Sequence, residues 1–338
     1  QAPVTLSRAR FDNYQTMATF ARALGCEPTA IRERNEMNTR RPSRSSVSHR
    51  GRRVIAAAQA PDGTELARVL EVAVGAAKEG GIIMARKVGA DVIKTKVNAR
   101  DLLTEVDGEV QRIIETRVAE AFPEHGFLGE ESVAAGKDAS ADALRDVLRQ
   151  GPNWLWIVDP IDGTTNFVHG MPLSAISIGV AYKGELQAAV ILDPFRDECF
   201  TATLGGGAKL NGSPMKVGEE STALEAVVVT GYAPTDASTD VMLKGMTALA
   251  NLPVRTIRML GSAAIMLAWV ACGRVTAYFE ADLNSWDTAG GALLIREAGG
   301  QMTNLVGEEY DLTTRPILAS NRATHAELLA CLMVSLRH

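Results

Sequence analysis

Two aspartates three residues apart, Asp159 and Asp162, stand at the end of the apolar run 154–158, and Gly163-Thr164-Thr165-Asn166 follows them. A strand that runs out at Asp159 presents that carboxylate at its end, where functional groups concentrate. Pro160, which has no N–H to give, is expected to stop the sheet ladder there, and Asp162 then turns back toward the same point. Gly163 permits a tight backbone path. Thr164 and Thr165 place hydroxyls where a helix could begin, with free N–H groups suited to a phosphate. Two carboxylates and an intervening carbonyl make an all-oxygen set of the kind hard Mg²⁺ prefers. Such a pair alone would read as solvated turn residues, but three further acidic clusters stand in similar contexts. Glu130-Glu131 follow Phe127-Leu128-Gly129. Asp287 follows Trp286 ahead of the helix-like stretch 288–297, whose N-terminus it is expected to cap. Asp101 and Asp107 flank Leu102-Leu103-Thr104 before another helix.

The elements that must position these groups are legible in the hydrophobic periodicity. Leu66, Val69, Leu70, Ala73, Val74 and Ala77 recur at helical spacing, and 107–121 repeats the pattern with Pro123 as a stop. Residues 154–158 predict a buried strand. The β-rich runs 174–181 and 187–192, joined by Lys183-Gly184-Glu185, predict a hairpin, and 200–204 with Gly205-Gly206-Gly207 continues an antiparallel sheet. From Ala226 the texture changes: strands at 227–230, 254–259 and 275–280 alternate with helices at 240–252 and 263–271. The expected fold class is therefore α/β, with an α+β half at 61–217 and an α/β half at 218–338. No internal repeat is visible.

Taken together, the motifs resemble those of the inositol monophosphatase family. The run 159–166 is similar to its central signature, Gly129-Glu130-Glu131-Ser132 to its upstream Gly-Glu-Glu element, and Asp101-x-x-Thr104-x-x-Asp107 to its early acidic element. Trp286-Asp287-Thr288-Ala289-Gly290-Gly291, with Glu297-Ala298-Gly299-Gly300, resembles its C-terminal signature. The similarity runs in the family's order over roughly 65–330. It implies a layered α-β-α-β-α sandwich, a homodimer, and a Mg²⁺-dependent, Li⁺-sensitive phosphatase holding two to three ions. By resemblance, Glu130, Asp159 and the Ile161 carbonyl would ligate the first Mg²⁺, Asp159, Asp162 and Asp287 the second, and Asp107 a weaker third through water, with Glu131 close to the first. Thr165 and the Gly163 and Thr164 N–H groups would bind phosphate. Glu130 and Thr164 would orient a metal-activated water for in-line attack.

The substrate implied is a small polyol phosphate, myo-inositol monophosphate foremost. Glu280, seven residues before Asp287, matches the position at which inositol-selective members bind a ring hydroxyl, and Gly261-Ser262-Ala263 resembles the segment facing the polyol. Galactose 1-phosphate and histidinol phosphate are the alternatives on this scaffold, although relatives acting on histidinol phosphate commonly read Gly-Thr-Lys where this chain has Gly163-Thr164-Thr165. A metal-binding interaction protein without catalysis is the third reading, and the intact acidic set argues against it. Other candidates read as structural: His169 as a surface histidine, Gly205–Gly207 as a hairpin turn with no Lys-Ser/Thr after it, and Cys199 and Cys272 as packing residues.

A net charge of −5 gives no electrostatic footprint for nucleic acid or an anionic membrane. No apolar run approaches the ~20 residues of a membrane span, so the chain reads as soluble. Four cysteines without paired spacing argue against a disulfide framework or zinc site, and for a reducing compartment. Residues 1–60 differ from the rest. Between Met37 and Pro61 there is no acidic residue, while arginines alternate with serines. That composition predicts a transit peptide, with a disordered tail as the alternative. Arg53-Val54-Ile55-Ala56-Ala57-Ala58 resembles a stromal cleavage region, so the plastid is the expected destination, ahead of cytoplasm or mitochondrion. Met17-Ala18 reads as a start, residues 1–16 being upstream sequence.

Overall fold

The computed structural model describes residues 61–95, 102–232 and 235–335. Asp101, Cys26 and the whole of the expected leader lie outside them. The described chain is layered as predicted. Two helices, α1 (Gly63–Lys87) and α2 (Glu105–Ala121), follow one another with the short antiparallel pair β1 (Val92–Thr95) and β2 (Leu102–Thr104) between them. α1 is N-capped by Asp62, whose carboxylate accepts from the Thr64 N–H. Its buried stripe, Val69, Ala73, Ala76, Ala77, Gly80 and Met84, faces the sheet.

That sheet has seven strands in chain order: β3 (Gly126–Gly129), β4 (Trp154–Asp162), β5 (Ala175–Tyr182), β6 (Glu185–Asp193), β7 (Glu198–Thr203), β8 (Gly207–Leu210) and β9 (Ser213–Pro214). Only the β3–β4 pair is parallel. The predicted hairpin turns through Lys183 and Gly184, both at positive φ. Helix α3 (Lys137–Gln150) connects β3 to β4. β4 to β6 are covered on both faces. Trp156, Val158, Ile176, Ile178 and Val190 pack toward α1 and α2, while Ala175, Ala189 and Ile191 pack the other way. This double burial is why these strands read as continuous apolar runs.

The five-stranded sheet has the order β11 (Thr256–Met259), β10 (Val227–Thr230), β12 (Ala277–Glu280), β14 (Ile317–Ser320), β13 (Gln301–Thr303). β10, β11 and β12 run parallel, and β14 is antiparallel to both of its neighbours. Helix α5 (Asp236–Asn251) starts earlier than the periodicity suggested, because Thr235 caps it by accepting from the Ser238 N–H. Between the sheets lie α6 (Ala263–Ala271) and α7 (Ser285–Glu297), buried almost all round. α5 and the C-terminal α8 (His325–Ser335) cover the far side through Met242, Leu249, Leu328 and Leu332, which pack with Phe279 and Leu318. Helices, sheet, helices, sheet and helices therefore alternate. No helix among the described residues is long and apolar enough to cross a membrane.

Candidate active site

The strand β4 does not stop at Pro160 as its missing donor suggested. It runs on to Asp162 through an irregularity: Asp159 pairs with Ser177, and the next pair is Asp162 with Ala175. Three steps on β4 thus span two on β5. β3 pairs with β4 only as far as Val158, so no partner on that side requires an N–H from Pro160. The extra residue has a consequence for chemistry. Side chains alternate across a regular strand, which would send Asp159 and Asp162 to opposite faces, but a bulge shifts the alternation by one. Both carboxylates reach the same place, and both are buried. Asp159 Oδ1 also accepts from the Ile161 N–H at 3.0 Å, closing a tight local turn.

Asp162 is seated at the start of α6. The Ser262 hydroxyl donates to its Oδ2, as does the Ala264 N–H at 2.8 Å. Ser262 Oγ in turn accepts from the Ile265 N–H at 3.2 Å, as the helix cap. Gly261 is exposed, while Ser262 and Ala263 are buried. The loops around this cradle are tied by Asn166, whose Nδ2 donates to Leu173 O and Leu260 O, both at 2.7 Å. Gly163 (φ 88°) must be glycine twice over, since a Cβ there would also lie 2.9 Å from Gly261 O. It precedes the five-residue helix α4 (Thr164–Val168). Thr164 is half-buried and Thr165 exposed.

Asp287 enters from α7, more than a hundred residues along the chain. It lies inside the helix rather than capping it. Asn284 holds the cap position, and its N–H donates to Asp287 Oδ2 at 2.6 Å. Oxygens of Asp159, Asp162 and Asp287 all lie within 4.8 Å of one another. Burial pushes the Asp287 carboxyl well up, and the charges of Asp162 and Glu130 push it further. Asp162 is raised mainly by burial, against the hydrogen bonds from Ser262 and Ala264. Glu130 thus acts on the cluster by charge, from the 3₁₀ turn Glu130–Ser132 that follows β3. Asp107, buried on the first turn of α2, accepts from the Thr104 N–H at 2.9 Å. Its Oδ1 lies 3.4 Å from Thr164 Oγ1, which is also 3.1 Å from Ile161 O, so the single Thr164 hydroxyl proton can serve either acceptor. Asp107, Thr164 and the Ile161 carbonyl therefore form one contiguous group.

Glu280 ends β12 and is buried, near enough to Asp162 for the two charges to interact. The Tyr278 hydroxyl donates to its Oε2, and burial pushes the carboxyl up to about 7, with Asp162 and Asp282 adding to the effect. Gly231 leaves room for it, since a Cβ there would fall 2.0 Å from Oε2. Outside the site, His169 is exposed, with Nδ1 2.8 Å from Thr165 O. The glycine turn at 205–207 gives its N–H groups to Glu297, 3.0 Å from Gly205 and 2.9 Å from Gly207, so it already holds an anion of the chain's own. Cys199 is buried in the core beside α1.

Several supporting residues were not singled out from sequence. Asn284 is a helix cap visible only once the start of α7 is known, and Ser262, read from sequence as part of the polyol-facing segment, also clamps the Asp162 carboxylate. Gln111 holds the Glu130 turn, and its spacing of four from Asp107 was a usable signal. Arg315 donates from Nε to Asp282 at 2.7 Å and from Nη1 to Asn284 at 2.9 Å and Ser140 at 3.1 Å, tying the segment before Asp287 to α3.

Buried carboxylates packed this closely repel one another unless protons or cations neutralise them. The donor set is carboxylates with one backbone carbonyl, which suits a hard divalent cation. Comparison with known proteins agrees with this chemistry. Residues 65–338 match the model of the Inositol monophosphatase family. The chain is 34% identical over 264 residues to inositol monophosphatase 1 of Bos taurus, covering 77% of this chain and 92% of that one. It is 37% identical over 265 residues to the Nus factor SuhB of Pseudomonas aeruginosa, covering 77% and 94%. Among solved structures, an IMPase of Thermotoga maritima superposes with a TM-score of 0.70 at 30% identity, covering 80% of this chain and 98% of that one.

Proposed function

The chain belongs to the inositol monophosphatase family, and we propose that it hydrolyses myo-inositol monophosphate with water as the nucleophile and Mg²⁺ as cofactor. The observation that carries this reading is the meeting of Asp159, Asp162 and Asp287 within 4.8 Å, with the charge of Glu130 acting on Asp162 and Asp287. Glu130, Asp159 and the Ile161 carbonyl would hold one ion, Asp159, Asp162 and Asp287 a second, and Asp107 a weaker third. Bound Mg²⁺ supplies a lowered water pKa and charge stabilisation at the phosphoryl group and the leaving oxygen.

The chain's own residues do the rest. Thr164, between Asp107 and Ile161 O, and Glu130 orient the attacking water. N–H groups of Gly163 and Thr164, with the Thr165 hydroxyl, receive phosphate oxygens at the start of α4. Glu280 accepts a hydrogen bond from a ring hydroxyl, and its Tyr278 partner fixes the carboxylate for that purpose. A homodimer and Li⁺ sensitivity, which rest on the family resemblance, and plastid import, which rests on the composition of residues 1–60, complete the reading.

A panel of inositol 1-phosphate, galactose 1-phosphate, histidinol phosphate and glycerol 2-phosphate, assayed with Mg²⁺ and with EDTA, tests the proposal. The highest kcat/KM is expected on inositol 1-phosphate, with no turnover in EDTA. Full activity in EDTA would sink the metal chemistry, and a preference for histidinol phosphate would overturn the substrate.

A further inference from the structure

We propose that Gln111 is a positioning residue that holds the Glu130-bearing turn against α2 and so sets Glu130 in register with Thr164. The inference rests on the functional reading above, which makes those two residues the pair that orients the water. Gln111 is 5% exposed, and both ends of its amide are spent on one short segment. Its Oε1 accepts from the Glu131 N–H at 2.9 Å, and its Nε2 donates to Ser132 Oγ at 2.8 Å. The fit is close on the strand side as well. A Cβ on Gly129 would fall 2.4 Å from Gln111 Oε1, so glycine at the end of β3 is what lets the turn close on the amide.

The geometry of α2 gives this clamp a purpose beyond satisfying a buried amide. Asp107 and Gln111 are four residues apart, so they share a face of the helix about one turn from each other. Asp107 meets the Thr164 hydroxyl at 3.4 Å, while Gln111 meets the turn of Glu130. The adjoining apolar stripe of α2, Val106, Val110, Ile114 and Val118, is locked in the core. One rigid helix thus spaces two groups that come from β3 and from the end of β4. The turn closes locally through the Val133 N–H, which donates to Glu130 O at 3.1 Å, while its two adjacent carboxylates repel each other. A neutral amide offering one donor and one acceptor pins the backbone without adding charge to the site. A leucine at 111 would keep the bulk and lose both bonds.

The test compares Gln111→Leu, Gln111→Glu and Ser132→Ala with the wild-type protein. Three readouts are used: kcat and KM on inositol 1-phosphate, Mg²⁺ affinity by calorimetry without substrate, and thermal stability. Residues that orient metal ligands typically change affinity or activity about 10- to 100-fold. Gln111→Leu is therefore expected to lower kcat about 10- to 100-fold, with KM changed less than about 3-fold and Mg²⁺ bound several-fold more weakly. Gln111→Glu keeps the acceptor for the Glu131 N–H and can accept from the Ser132 hydroxyl, but it adds a charge beside Glu130 and Glu131, so it should recover only part of the loss. Ser132→Ala, which removes one bond at an exposed residue, should fall between. Folded Gln111→Leu with wild-type kcat and Mg²⁺ affinity would overturn the inference. Should that variant not fold, unaltered kcat in Ser132→Ala would overturn it instead. Glu130→Gln separates the two levels. If it turns over normally, the functional reading itself fails; if it is inactive while Gln111→Leu is normal, only the clamp is wrong.

Discussion

Replacing Gly179 with alanine should damage the active site from the middle of a β-strand that carries none of its ligands. Gly179 lies on β5 where α7 crosses, and a Cβ there would fall 2.6 Å from Ala289 Cβ, 3.0 Å from Ala289 C and 3.1 Å from Gly290 N. Carbon atoms pack at about 3.5–4.0 Å, so the helix must retreat by roughly 1 Å. It has little room to do so, because on its other side a Cβ on Gly291 would fall 2.4 Å from Leu267 of α6. The clash is with backbone and the first side-chain atom, so no rotamer change relieves it. Overpacking of this kind costs about 1–3 kcal/mol, which for a domain this large is roughly 2–10 °C in Tm. Ala289 is two residues from Asp287, whose carboxylate must stay with Asp159 and Asp162. A misplacement of about 1 Å can cost on the order of 10²-fold in rate. The assay is kcat against Mg²⁺ concentration on purified protein, alongside thermal unfolding. Gly75→Ala is the control: Gly75 is exposed on α1 with nothing within 4 Å of an added Cβ. It should gain about 1 kcal/mol from helix propensity and keep its kcat. Wild-type kcat and Mg²⁺ requirement in Gly179→Ala would refute the claim that this close contact sets Asp287.

Arg315→Ala should destabilise the fold by about 1.5–3 kcal/mol, because the buried Asp282 loses its guanidinium partner and keeps only Lys137, 3.7 Å away. It should also raise the Mg²⁺ needed for half-maximal activity, since Asn284 loses its anchor. Chemical denaturation and a Mg²⁺ titration read the two effects, and a change in neither would mean the bridge is idle. Glu280→Gln should cut kcat/KM about 10- to 150-fold on inositol 1-phosphate, as expected for losing a charged acceptor, and much less on glycerol 2-phosphate. In EDTA the same variant tests the buried carboxyl. Its folded pKa of about 7 lies above the ordinary 4.5, so the native state keeps a proton that the unfolded chain releases. That stabilisation is full below 4.5 and is lost as pH rises to about 7, at up to about 1.4 kcal/mol per unit. Denaturation of both proteins at pH 5 and pH 7 should therefore show the variant gaining on the wild type. A constant gap would place the Glu280 pKa near its ordinary value.

Much of this molecule could be read from residue order alone. The acidic motifs announced an oxygen-ligand site because carboxylates at strand ends and helix starts are local features. Helix α6 was legible to the residue, since Ser262 before a nine-residue apolar run encodes its own cap and burial. The Lys183-Gly184 hairpin was legible because a tight turn depends on its own φ angles. What sequence could not settle were relations between segments far apart in the chain. Pro160 has a lawful local reading as a strand end; only the pairing with β5 shows a bulge that carries the strand onward and turns Asp162 to the side of Asp159. Asp287 reads locally as a cap, and only the true start of α7 moves that role to Asn284. Gln111, Gly179 and Arg315 carry no motif, because each acts through atoms that chain distance keeps apart and packing brings together. Local propensity determines which elements form and which faces they bury. Which buried faces then meet, and so which charges share one site, is decided by close packing of the whole, where one added carbon can shift a ligand.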